Sequence, residues 1–169
     1  KLTAGTPDVI VAVCDAPVKY THPDLAGSMW VNEAELNGVK GVDDDGNDYI
    51  DDIHGYNFYK RGGSNGAINW ETETESGHGT HVAGIVAAVN GNGIGVSSVA
   101  GGSGKGDGVR LMCCQVFEGI YSDGDRGMSE ALMYAADNGA CIVQCSYGYP
   151  AGTFECDDAF IDNASLEYR

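Results

Sequence analysis

The chain has 169 residues, 9 of them basic and 25 acidic, for a formal net charge of −16. That field repels nucleic acid and anionic membrane surfaces and excludes both as default partners. The longest apolar runs, Val9–Cys14 and Val82–Val89, fall far short of the roughly 20 residues that a membrane-spanning helix needs.

A chain of this length suits one domain. With 26 Gly and 4 Pro it is not a low-complexity sequence. Leu, Ile, Val and Phe supply only about a fifth of it, at the border where a charged chain fails to bury a core. These residues are concentrated in dense blocks, so the expectation is a folded object with a lean core, and a lean core suggests an incomplete one. The opening Lys1-Leu2-Thr3-Ala4-Gly5 lacks the apolar stretch of a signal peptide, so any targeting segment is expected to have been removed or never to have been present.

Val9-Ile10-Val11-Ala12-Val13-Cys14 is continuously apolar, ends in Asp15 and is broken by Ala16-Pro17. Apolarity without alternation predicts a strand covered on both faces, as in a parallel sheet. Residues 32–77 are polar, Gly-rich and acidic, and read as a long excursion of loops. His78–Asn90 carries Val82, Ala83, Ile85, Val86, Ala87 and Val89, a helical period of small side chains that predicts a tightly packed helix. After a Gly- and Ser-rich connection at Asn90–Gly108, Val109–Phe117 predicts a second buried strand. Ser129–Asn138 predicts a helix with Ser129 as N-cap and Gly139 as its stop. Cys141–Ser146 predicts a third strand, closed by Tyr147-Gly148-Tyr149-Pro150, and Asp157–Arg169 a last amphipathic helix. Strands alternating with helices make this an α/β chain with a parallel sheet, with no repeat and no second domain.

In open α/β sheets, sites collect at the carboxyl ends of the strands. Asp15 stands at such an end, where a carboxylate is also an ordinary turn former. Gly77-His78-Gly79-Thr80-His81-Val82-Ala83-Gly84 places a histidine in the first turn of a helix, with glycines on both sides that allow close approach of other backbone. His78 and His81, three residues apart, are an alternative metal pair, but no glutamate of an HExxH pattern accompanies them.

The six cysteines, Cys14, Cys113, Cys114, Cys141, Cys145 and Cys156, form neither CxxC pairs nor a small-domain disulfide framework. Five of them lie in strand-like blocks and are expected to be small buried hydrophobes. One disulfide or a metal contact is the alternative. Their number argues mildly against a strongly oxidising compartment.

In the stretch Asp43-Asp44-Asp45-Gly46-Asn47-Asp48-Tyr49-Ile50-Asp51-Asp52, oxygens recur at alternate positions that a turn can gather around one hard cation. Asp43, Asp45, Asn47, the Tyr49 carbonyl and Asp52 would suit Ca²⁺. The spacing resembles the start of an EF-hand loop, although Asp48 stands where that loop has Gly. A solvated acidic loop is the plain alternative, but so many carboxylates without a cation would repel one another.

Taken in order, Val11-Ala12-Val13-Cys14-Asp15, Thr21-His22-Pro23-Asp24-Leu25 and His78-Gly79-Thr80-His81-Val82-Ala83-Gly84-Ile85 closely resemble the subtilisin-like serine proteases. The resemblance continues through Gly124–Ser129 and Ile142-Val143-Gln144-Cys145-Ser146-Tyr147-Gly148, and covers the chain from about residue 8 to 150. It implies a subtilisin-like three-layer α/β fold with a parallel sheet, incomplete here, with residues 1–169 as the N-terminal portion of one peptidase domain. It implies that Asp15 is the catalytic aspartate, His78 the general base and His81 a packing residue. Ser146, Tyr147 and Gly148 would line the main specificity pocket, and the stretch from Gly124 to Gly127 would be the edge strand that pairs with an extended polypeptide substrate. Asp24 and Asn92 through side chains, and Val89, Ile94 and Val96 through carbonyls, resemble the family's strong calcium site.

Three departures from the family pattern stand out. Ala16-Pro17 replaces the usual hydroxyl-bearing residue and glycine after the aspartate. Gln144 replaces an asparagine before the pocket segment. No serine stands in the family's nucleophile context, and its oxyanion asparagine is also missing. The resemblance therefore implies two thirds of a triad, with the nucleophile on a second chain that carries the rest of the domain, as in a two-chain enzyme nicked after Arg169, or else a truncated chain. A non-catalytic pseudoprotease or calcium-stabilised peptide-binding module is the competing expectation. The family is mostly secreted, and an extracytoplasmic location is expected on that ground.

Overall fold

The computed structural model describes residues 3–59, 66–71, 77–118, 121–122 and 125–148. The sequence-based expectations for Asp157–Arg169, Tyr149-Pro150, Gly124 and Cys156 lie outside the described residues. Strand β1 (Ile10–Asp15) runs through a four-stranded parallel sheet, between β3 (Arg110–Gln115) on one side and β6 (Ile142–Gln144) on the other. A short β2 (Gly55–Asn57) extends the sheet beyond β3. Helix α2 (His78–Ala87) covers one face and α3 (Asp125–Asp137) the other.

The unbroken apolar runs of β1 and β3 follow from this layering. Val11, Val13, Leu111 and Cys113 face Val82, Ala83 and Ala87 of α2. Ala12, Cys14, Met112 and Cys114 face Met128, Ala131, Tyr134 and Ala135 of α3. Successive residues of a strand point to opposite faces, so a strand sandwiched between two helices is apolar at every position. The result is the three-layer α/β arrangement that the sequence predicts.

Several boundaries differ from expectation. The loop-rich excursion 32–77 contains α1 (Glu33–Asn37), capped by the Asn32 side chain accepting from the Ala34 amide, as well as β2. β2 escapes a hydrophobicity scan because it is only Gly-Tyr-Asn, and its glycine is there for space. Gly55 has φ +118°, and a Cβ on it would lie 2.0 Å from the Cys113 carbonyl oxygen. Helix α3 begins at Asp125, a turn before the predicted Ser129 cap, because its core-facing stripe already starts with buried Met128. Gly127 therefore sits buried in the first turn of a helix and not in a substrate-pairing edge strand. The predicted stop holds: Gly139 adopts φ +81°, and the amides of Gly139 and Ala140 close back on the carbonyls of Ala136 and Ala135.

The third strand is shorter than predicted and is not covered on both faces. Ile142 and Val143 are exposed on β6, which with β2 is one of the two edge strands of the sheet among the described residues. The cysteines divide accordingly, with Cys14, Cys113 and Cys114 buried and Cys141 and Cys145 exposed, so the expectation of five buried thiols holds for three. The expected layering makes Leu111, fully buried under α2, a sensitive position. Leu111→Ala should destabilise the fold by about 3 kcal/mol, read as a lower denaturant midpoint with an unchanged m-value.

Candidate active site

Asp15 is the last residue of β1 and His78 the first of α2. Their side chains meet, with Asp15 Oδ1 2.6 Å from His78 Nδ1. The carboxylate is 3% exposed and the imidazole 48%, so the pair is anchored on a buried oxygen and opens to solvent through the ring. Asp15 Oδ1 also accepts the Ala16 amide at 2.7 Å. Asp15 Oδ2 is buried and has no hydrogen-bond partner among the described residues. Ala16 brings no hydroxyl and Pro17 no N–H to reach it.

The residues after His78 explain how strand and helix come so close. A Cβ on Gly79 would lie 2.0 Å from the Ala16 carbonyl oxygen and 3.1 Å from that of Pro17. Glycine thus lets the first turn of α2 rest on the backbone leaving β1. Thr80 then clamps the contact, its hydroxyl accepting the Lys19 amide at 2.9 Å. His, Gly and Thr in sequence supply a polar contact, a close approach and a backbone clamp. His81 does not pack inward as the resemblance implies. It is exposed on the turn of α2 that borders a cavity of about 700 Å³ shared with His22, Asp24 and Ile85. Among the described residues, His78 and His81 belong to no cluster of three or more side chains that could hold a metal ion.

Around this pair the sheet ends build a floor. Gln115, opposite Asp15 in the β1–β3 register, is buried; its Oε1 accepts the Asn69 amide and its Nε2 donates to the Phe117 carbonyl. It ties the segment carrying Trp70 to the strand ends, a role with no motif to betray it in sequence. Phe117 opens the hairpin of β4 (Phe117–Glu118) and β5 (Tyr121–Ser122). Its ring meets that of Tyr147 edge-on at 4.8 Å. Ser146 and Gly148, on either side of Tyr147, are exposed, and Gln144 Nε2 donates to the Ser146 hydroxyl.

The acidic stretch folds back on itself. Asp43 Oδ1 accepts the amides of Gly46 and Asn47, and its Oδ2 accepts that of Asp48. Desolvation pushes the Asp43 pKa up, but the amides of Asp48, Gly46 and Asn47 win and hold it below the usual carboxylate range. Asp48 has φ +70°, so it fills the left-handed position that glycine takes in an EF-hand loop, and aspartate tolerates it. Asn47 Oδ1 accepts the Tyr49 amide, and Asp45 Oδ2 accepts from Asn32 and Asn47.

Two findings revise the expected ligand set. Glu35 of α1, 4% exposed, joins Asp43 and Asp45 in a group whose ligand oxygens lie within 4.8 Å of one another. Among the described residues no Lys or Arg is ion-paired with any of the three. Asp52 does not belong to this group. It is fully buried and turned into the core, where Tyr134 Oη donates to it at 2.6 Å and the amides of Asn32 and Asn47 donate at 2.8 and 3.2 Å. Burial pushes its pKa up, against the pull of these three donors. Tyr49 packs its ring among Tyr56, Phe58 and Tyr134.

A second loop closes on Asp24, which is buried. Asp24 Oδ1 accepts from Asn92 Nδ2 at 2.7 Å and Oδ2 accepts the Val96 amide at 2.9 Å. The Val89 amide donates to the Asp24 carbonyl, and the Ile94 amide to Asn92 Oδ1. Gly95, at φ +60°, is where a Cβ would strike the Asp24 carboxylate. The structure therefore gathers Asp24, Val89, Asn92, Ile94 and Val96 in one loop.

The comparisons with known proteins agree with this geometry. The model of the subtilase family matches residues 6–167. Subtilisin-like protease 1 of Plasmodium vivax is 35% identical over 159 residues, which are 94% of this chain and 22% of that protein. A halolysin-like extracellular serine protease of Natrialba magadii is 29% identical over 150 residues, 86% of this chain and 22% of its own. Among solved structures, fervidolysin from Fervidobacterium pennivorans, described as a keratinolytic enzyme related to subtilisin, superposes with a TM-score of 0.59 at 25% identity, covering 97% of this chain and 20% of that one. The chain thus spans about a fifth of the length of these relatives.

Gly79→Ala should force α2 away from Ala16 and break the Asp15–His78 contact, visible as loss of the downfield Nδ1 proton of His78 in NMR spectra. Tyr134→Phe removes a donor from the buried Asp52 carboxylate. It should cost about 1–3 kcal/mol of stability in chemical denaturation.

Proposed function

The chain belongs to the subtilase family, and from that premise we propose that its parent protein is a serine endopeptidase to which this chain contributes two of three catalytic side chains. The observation that carries the reading is the Asp15–His78 hydrogen bond, with its carboxylate buried and its imidazole open to solvent. With Nδ1–H donated to Asp15, Nε2 is left to accept a proton from a hydroxyl. Asp15 sets the tautomer and ring orientation and stabilises the imidazolium that forms. His78 takes the proton of a serine as that serine attacks the scissile carbonyl, and returns it to the leaving amine. The serine and the oxyanion asparagine are supplied from outside these 169 residues, on a second chain that completes the domain or farther along the same polypeptide. Ser146, Tyr147 and Gly148 line the pocket that receives the substrate side chain, and Phe117 buttresses Tyr147 from below.

Calcium is proposed at two places. Glu35, Asp43, Asp45 and Asn47 form an oxygen-only set suited to a hard cation, and the loop around Asp24 and Asn92 forms the other. A divalent ion would relieve the repulsion of carboxylates that no Lys or Arg neutralises among the described residues. By kinship with extracellular relatives, the parent protein is proposed to act outside the cytoplasm.

One observation favours a second reading. Asp15 Oδ2 is buried without a donor among the described residues, and a buried unsatisfied carboxylate oxygen is costly. A pseudoprotease that keeps the cleft without turnover would tolerate such a defect. A fluorophosphonate probe on the native protein separates the two, since a working triad labels one serine covalently and a pseudoprotease labels none. In the active protein His78→Ala should lower kcat by at least about a thousandfold while leaving the circular dichroism spectrum unchanged; unchanged turnover would overturn the enzyme reading. Chelation of calcium should lower the melting temperature by about 5–10 °C, and Glu35→Gln should shrink that difference. Coincident melting curves with and without chelator would remove both sites.

A further inference from the structure

Two polar side chains end the two central strands side by side. Asp15 closes β1 and Gln115 closes β3, paired in register. Alternation along each strand puts both on the face that Val13 and Cys113 present to α2. Gln115 is 1% exposed, and a buried carboxamide has to place both its donor and its acceptor. Its Oε1 accepts the Asn69 amide at 2.8 Å, and its Nε2 donates to the Phe117 carbonyl at 3.1 Å. One partner donates and the other accepts, so a carboxylate fails at one contact and an alkyl chain at both.

These partners lead to opposite flanks of the Asp15–His78 pair. The sheet order β2-β3-β1-β6 puts β2 and β3 on one side of Asp15 and β6 on the other. Asn69 belongs to the stretch 66–70, which is strapped to the end of β2. There the Asn57 amide donates to the Gly66 carbonyl, and Asn57 Nδ2 to that of Ala67. At the far end of the strap Trp70 meets Tyr20 edge-on at 6.0 Å and carries the Lys19 ammonium over its ring at 4.9 Å. The strap walls a cavity of about 390 Å³ that Tyr20 also lines. Phe117 instead packs against Tyr147, which follows β6.

We propose that Gln115 is a positioning residue for substrate binding, its carboxamide fixing the Asn69–Trp70 strap and Phe117 on either side of the catalytic pair so that a polypeptide meets a preset cleft. The inference rests on the peptidase reading and adds to it a residue that touches neither substrate nor the reacting atoms. A cleft whose walls are already held loses less freedom when it binds, so loss of the carboxamide is felt in KM. Proton transfer runs through the Asp15–His78 contact, in which Gln115 takes no part, so kcat is spared.

The test uses the intact active protein with Gln115→Glu and Gln115→Met, assayed on an extended peptide and, separately, with a small fluorophosphonate. Gln115→Glu keeps the acceptor for the Asn69 amide but turns an oxygen toward the Phe117 carbonyl. Gln115→Met fills the space and serves neither partner. KM should rise about tenfold in the first and further in the second, with kcat within about twofold of wild type. The rate of serine labelling should not change. Because Gln115 acts through Phe117, Gln115→Glu combined with Phe117→Leu should raise KM by less than the product of the single effects. If Gln115→Glu fails to fold, Gln115→Met carries the test, with circular dichroism as the check. An unchanged KM in a variant that still labels would overturn the proposal and leave the peptidase reading standing. Parallel loss of kcat and labelling with KM unmoved would also overturn it. A wild-type protein that takes no label would bring down both.

Discussion

The close contact between the first turn of α2 and the backbone leaving β1 is the constraint on which the site depends. A single absent Cβ, at Gly79, lets the helix start directly against Ala16. Without that approach His78 could not reach the carboxylate at the strand end, since both side chains are short and neither backbone has slack. Once the approach is made, the Thr80–Lys19 clamp and the burial of Val82 and Ala83 hold it. The hydrogen bond between Asp15 and His78 is thus the product of packing as much as of polarity. It sets a buried carboxylate against an imidazole that is open to solvent.

The same economy runs through the core. With so few large aliphatic residues, α2 presses Val82, Ala83 and Ala87 against the sheet while α3 adds Met128 and Tyr134 to its alanines, and cysteine serves as a small residue at three central positions. Packing of this kind leaves little room for rearrangement, because small side chains bring backbones close and a displaced helix would clash before it found a new seat. The edge strand β6 lacks such cover, which is why Ile142, Val143 and Cys145 are exposed while their counterparts on β1 and β3 are not. Exposed apolar residues on an open sheet edge suit a surface that further chain covers in the longer relatives.

The acidic excursion shows a different balance. Its carboxylates are held mainly by backbone amides and asparagine side chains, not by Lys or Arg among the described residues. Amides orient a carboxylate without cancelling its charge, so the loop is shaped and still strongly negative. Asp52 resolves its own case by turning to Tyr134, where it ties the loop to the α3 layer and leaves Glu35, Asp43 and Asp45 as the clustered set.

The sequence by itself determined the parallel α/β architecture, the family, the pairing of Asp15 with His78 and the stop of α3 at Gly139. Each of these rests on information local in the chain, either a continuous apolar run, a compact motif or a glycine that must turn left-handed. Tertiary structure alone decided the rest. Glu35 entered the acidic cluster, and Asp52 left it, because membership depends on which way a carboxylate faces after α1 and α3 have packed. Gly127 went from edge strand to helix because Met128 had a core to fill. Cys14 and Cys114 lie side by side only because β1 and β3 align in register, and no spacing along the chain encodes which strands become neighbours. Local patterns record what a residue can do with its sequence neighbours; burial, register and close approach record what the folded chain places beside it.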